Sequence, residues 1–147
     1  MTLLVPFDGS ALSESALETA NTLAGALDEA VIVLSVIPDD EDFARERGWI
    51  NEGEPFRIEA IQRGLKDRAL SVAPEATFQT EVVDSDEPTA TPTTNVVRAI
   101  RRVAGEIDAS IVFVGSANAG SVIRPDSSVG GSVASDTGYD VYVVRKP

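Results

Sequence analysis

Two short stretches carry residue types that can do chemistry. In Val5-Pro6-Phe7-Asp8-Gly9-Ser10 a carboxylate stands in a turn directly after an apolar run. Such an acid can accept hydrogen bonds from an adenine amino group or a ribose hydroxyl; the plainer reading is that Asp8 only shapes the turn. The second stretch is Gly115-Ser116-Ala117-Asn118-Ala119-Gly120-Ser121, followed further on by Gly130-Gly131-Ser132. Small side chains there let backbone amides approach an anion, hydroxyls add donors, and a following helix N-terminus adds partial positive charge. A plain connection that uses Gly for its turns is the alternative.

What is missing narrows the chemistry further. The 147-residue chain has no Cys and no His. Disulfides, thiolate nucleophiles, Cys zinc sites, imidazole metal ligands and Ser-His-Asp relays are therefore excluded. Carboxylates, hydroxyls, Arg and Lys, backbone amides and hard cations held by oxygen remain.

The elements that must position these stretches follow from the apolar pattern. Thr2–Pro6 is a short apolar run stopped by a proline and a turn. Leu12, Ala16, Ala20, Leu23 and Leu27 then recur at helical spacing, with Ser10 as the fitting N-cap. The near-continuous Ala30–Ile37 suits a strand covered on both faces. The acidic stretch Asp39–Pro55 reads as a mobile loop containing at most a short helical turn, with Phe43 and Trp49 as its large apolar anchors. Ile58, Ile61, Leu65 and Val72 mark a second helix, and Thr77–Val83 a strand near a sheet edge. Asp84–Asn95 reads as a loop. Val96, Ile100, Val103 and Ile107 mark a third helix, with Arg98, Arg101 and Arg102 facing outward. Ser110–Val114 is a fourth strand, a short helix is expected near Gly131–Asp136, and Tyr139–Val144 is a fifth strand.

Strands alternating with helices imply right-handed crossovers and a parallel sheet with helices on both faces. A single domain over residues 1–147 is expected, with 43% hydrophobic residues to build its core. In such sheets ligands bind at the carboxyl ends of strands where the winding reverses, which brings the ends of strands one and four to one crevice. An acid on one lip and an amide-rich loop on the other suit a nucleotide.

The net charge of −12 comes from twelve Asp and twelve Glu against ten Arg and two Lys. An anionic surface repels phosphate backbones, so nucleic acid is not an expected partner. Acid excess with scarce Lys suits a halophile-like surface, soluble in concentrated salt where self-repulsion is screened. Nothing near Met1 reads as a signal peptide and no apolar stretch is long enough for a bilayer, so a cytoplasmic chain without membrane contact is expected.

Leu4-Val5-Pro6-Phe7-Asp8-Gly9-Ser10 with its following helix resembles the opening of the universal stress protein family. Val114-Gly115-Ser116, Gly131-Ser132-Val133-Ala134 and Val141-Tyr142-Val143-Val144 resemble that family's closing half. The resemblance spans nearly the whole chain. It implies a Rossmann-like α/β fold, akin to the adenine nucleotide alpha hydrolases, with five parallel strands in the order 3-2-1-4-5. It also implies a homodimer through the last strand, Tyr139 to Val144, and a division between members that bind ATP and members that do not. By residue, the family's adenosine-side positions fall on Pro6, Asp8 and Val36, the last through its backbone. Its phosphate and ribose positions fall on Gly115, Ser116, Gly131, Ser132 and Val133, and Mg²⁺ would accompany ATP.

One departure stands out. The ATP-binding members carry Gly, two residues, Gly, nine residues, Gly, then Ser or Thr. Here the middle glycine position falls on Asn118 when counted from Gly115 and on Ser121 when counted back from Gly131-Ser132, and three extra residues lie between Gly115 and Gly131-Ser132. Arg124 and Asp126 lie in this lengthened loop. The resemblance thus supports an adenine-nucleotide-binding stress-response module, in which binding orders the Gly/Ser loop and changes a partner surface. A homodimeric interaction module without ATP is the alternative, and a slow ATPase the third reading. Without His the enzyme reading has no obvious general base, so no catalytic residue and no protein metal site are assigned.

Overall fold

A computed structural model describes residues 2–84, 91–115 and 138–147. β1 (Thr2–Pro6), β2 (Ala30–Pro38), β3 (Thr77–Val83), β4 (Ala109–Gly115) and β5 (Asp140–Val144) form one sheet in the order β3-β2-β1-β4-β5. Every pairing is parallel. The order expected from the resemblance is the order found, with β1 and β4 adjacent at the centre.

Period-two alternation sorts the strand side chains between two layers. Leu3, Val5 and Phe7 of the first strand and its exit pack with Val33 and Ile37 beneath α1 (Ala11–Leu27) and α3 (Ile58–Val72). Leu4, Leu34, Val112 and Val114 face the other way, onto Ile100 and Val103 of α4 (Pro92–Glu106). Both faces of the central strands are covered, which is why Ala30–Pro38 is apolar almost throughout.

The helix starts follow from side-chain capping. Ser10 accepts a hydrogen bond from the Ser13 amide at 3.2 Å and begins α1 as expected. Thr91 does the same for α4, accepting from the Thr94 amide at 3.1 Å, and Pro92 takes the first helical position, where a missing N–H costs nothing. α4 therefore starts before Val96, inside the stretch expected to be loop.

The largest correction concerns Asp39–Pro55. Asp40 accepts from the Phe43 amide at 3.0 Å and starts α2 (Glu41–Glu46). Phe43, Ala44 and Ile50 are buried, and Ala44, Ile50 and Trp49 join the core under α1 and α3. An acidic segment expected to be mobile is a docked element, because its apolar residues gain more by burial than its charges lose at the surface. The helix expected near Gly131–Asp136 lies outside the described residues.

Candidate functional site

β1 leaves the sheet at Pro6, and the next residues turn sharply. Asp8 accepts from the Ser10 amide through Oδ1 at 2.9 Å, closing an Asx-type turn. Gly9 sits at φ +81°, a backbone conformation that favours glycine; a Cβ there would lie 2.7 Å from Arg68 Nη1 and would displace the tip of that long side chain. Arg68 from α3 donates to the Gly9 carbonyl at 2.6 Å and pairs with Glu14 at 3.4 Å, pinning the turn from outside.

The docked α2 segment pins it from the other side. Arg47, the C-cap of α2, donates from Nη1 to Asp8 Oδ2 at 2.5 Å. The Trp49 indole N–H donates to the Asp8 carbonyl at 2.8 Å. The Arg47 guanidinium lies over the Phe43 ring at 4.7 Å, and Phe43 meets Trp49 at a ring distance of 5.6 Å. Burial raises the pKa of Asp8, but the hydrogen bonds from Ser10, the positive charge of Arg47 and the Ser13 hydroxyl outweigh it. The carboxyl stays below its ordinary value and is ionised at neutral pH.

Around this carboxylate lies a cavity of about 380 Å³, a volume suited to a small ligand. Pro6, Asp8, Val36 and Gly115, all named from the sequence, line it together. At Gly115 an added Cβ would stand 3.2 Å from Leu12 Cβ, so glycine lets α1 approach the end of β4. Val96, Val97 and Ile100 of α4 form one apolar wall, and Phe43 and Trp49 contribute another. The polar groups are few: Asp8, Arg47, Ser10, Ser13 and Thr93. The site residues Ser116, Gly131, Ser132 and Val133, and the loop residues Arg124 and Asp126, lie outside the described residues.

Backbone direction at Val36 follows from the ladder. The Phe7 amide donates to the Leu34 carbonyl at 2.8 Å, so Leu34 directs its backbone groups toward β1. In a parallel strand that direction returns every second residue. Val36 therefore directs its N–H and C=O to the same side, toward the chain leaving β1.

Sequence reasoning missed Arg47 as a neighbour of Asp8. The signal was present: Asp40 three residues before Phe43 is an N-cap spacing, and Phe43 and Arg47 are one helical turn apart.

Among the described residues no helix is long and apolar enough to cross a membrane, and no three His, Cys, Asp or Glu residues group to hold a metal ion. An all-parallel sheet in this order, with a cavity where β1 and β4 end side by side, defines an open, Rossmann-like α/β protein. Residues 1–145 match the model of the universal stress protein family, and the chain belongs to that family. No match was found among curated proteins.

Solved structures agree on the fold. A universal stress protein in complex with cAMP is 25% identical, with a TM-score of 0.53, over 100% of this chain and 98% of its own. A universal stress protein from Archaeoglobus fulgidus in complex with dAMP is 19% identical, with a TM-score of 0.57, over 99% and 98%. The Lactobacillus plantarum protein is 18% identical, with a TM-score of 0.53, over 99% and 97%.

Proposed function

We propose that this chain binds an adenine nucleotide in the cavity at the ends of β1 and β4 and works as a nucleotide-dependent signalling or interaction module. The observation that carries the reading is that Pro6, Asp8, Val36 and Gly115 line one cavity. Its apolar walls suit a flat ring, and the backbone of Val36 is the proposed contact for the amino edge of adenine. Asp8 is ionised, and its two oxygens retain lone pairs for a ribose hydroxyl. The solved relatives in complex with cAMP and dAMP support the same ligand class.

Ser116, Gly131, Ser132 and Val133 are the proposed phosphate and ribose contacts. ATP would bring Mg²⁺ on its own phosphate oxygens, since that ion takes few protein ligands. Residues 1–147 are proposed to work as one cytoplasmic domain, with an acidic surface adapted to concentrated salt; a sequence pI of about 4.3 supports the last point. A thermal-shift titration with ATP and Mg²⁺ at high salt tests the function. At a hundredfold excess over Kd, bound ligand adds about 2.7 kcal/mol of stability. No shift at millimolar nucleotide would overturn the reading.

A homodimer through β5 is the second element of the proposal. β5 pairs with β4 on one side and with no other strand among the described residues. Tyr142 on it is 45% exposed. Pairing two such edges around a two-fold axis would satisfy both. Light scattering across micromolar concentrations should give twice the mass of a 15.5 kDa chain; a constant monomer mass contradicts it.

A further inference from the structure

We propose that Arg47 is the specificity-determining residue that makes this cavity prefer a phosphorylated nucleoside over the uncharged nucleoside. The inference rests on the nucleotide reading above and deepens it, assigning charge recognition to a residue outside the Gly115–Val133 stretch. Arg47 lies on the cavity wall, its side chain 31% exposed. A guanidinium has five N–H donors in a rigid fork. Among the described residues its one hydrogen bond runs from Nη1 to Asp8 Oδ2, which leaves Nη2 and Nε for a ligand oxygen.

Charge makes this group important. The chain carries a net −12, so an anionic ligand approaches against a repulsive field and needs a local cation. Among the described residues that line the cavity, Arg47 is the only Lys or Arg. Arg68 lies nearby but is committed to the Gly9 carbonyl and Glu14.

Position is fixed before any ligand arrives. Phe43 supports the guanidinium from one side, and Asp8 holds one of its nitrogens. A guanidinium held in place loses little side-chain freedom when it binds, and its planar fork matches phosphate oxygens. Asp8 and Arg47 thus divide the ligand, the carboxylate taking hydroxyl or amino donors and the guanidinium taking the anion. A merely structural Arg47, tying α2 to the end of β1, would affect all ligands alike.

The single Trp of the chain, Trp49, donates its indole N–H to the Asp8 carbonyl and so reports on the cavity by fluorescence. Titrations with adenosine and with AMP, on the parent, R47Q and R47K, test the proposal. Charged hydrogen bonds contribute about 1.5–3 kcal/mol, so the parent should prefer AMP by about 10- to 100-fold. R47Q should lower the AMP-to-adenosine affinity ratio by about tenfold or more, with the larger loss falling on AMP. R47K keeps the charge but loses the fork, and its preference should fall severalfold. This second variant decides the matter if R47Q melts too low to titrate. A parent that binds both ligands equally, or variants that keep the parent's ratio, would overturn the role of Arg47 and leave the nucleotide reading standing. A parent that binds neither would overturn both.

Discussion

Replacing Asp8 by Ala should weaken adenine-nucleotide binding by about 10- to 100-fold, the loss expected for hydrogen bonds to an ionised group. The carboxylate organises more than its own contact. It holds the Ser10 amide at 2.9 Å and the Arg47 guanidinium at 2.5 Å, so its removal releases the turn and the cation together. Isothermal calorimetry on parent and variant measures the effect, and equal affinities would remove Asp8 from the site.

Asp8→Asn adds a pH signature. The folded-state pKa of Asp8 is depressed, so the stability it contributes is fully present above the unfolded-state pKa near 4. That contribution disappears as pH falls through the lower folded-state value. The variant should therefore lose less stability than the parent on acidification below about pH 4, with little difference in slope from pH 5 to 8. Urea midpoints measured across this range check it.

Trp49→Ala should destabilise the protein by about 3 kcal/mol, the lower end of the range for aromatic truncation because Trp49 is only partly buried. For a chain of this size that corresponds to a fall of roughly 6–12 °C in Tm. The indole packs against the core, tilts onto Phe43 and donates to the Asp8 carbonyl. Trp49→Phe keeps a ring but loses the hydrogen bond, and should cost about 1 kcal/mol plus some packing. If residues 39–55 were a detached acidic loop, either change would cost less than about 0.5 kcal/mol. Urea unfolding separates these outcomes.

The parts of the fold legible from sequence were those with strong local patterns. Ala30–Pro38 is covered on both faces and reads as a strand without help from its neighbours. Apolar spacing locates α1 correctly but sets its inward stripe too far toward the leucines. The buried line is Ser13, Ala16, Leu17, Ala20 and Ala24, while Leu27 is 49% exposed. Small residues turn inward because the helix lies close to the sheet, as the approach of Leu12 to Gly115 shows. Hydrophobicity ranks Leu above Ala and so hides this.

Of the candidate site, Asp8 and Gly115 were legible from topology, since they stand at strand ends that the strand order places side by side, while Pro6 and Val36 came from the family resemblance. Arg47 was not legible, because its partner is 39 residues away and its segment looked solvated by composition. Dense charge disguised Ala44 and Ile50, whose burial, with that of the anchor Phe43, fixes the segment.

The most direct test is a ¹⁵N-resolved NMR titration of the folded protein with ATP and Mg²⁺. The Trp49 indole N–H gives one isolated signal, since the chain has a single Trp. Saturable shifts of that signal, together with the amides of Asp8, Val36 and Gly115, are the predicted result. No saturable shift, or shifts confined to surfaces away from these residues, would contradict nucleotide binding at the ends of β1 and β4.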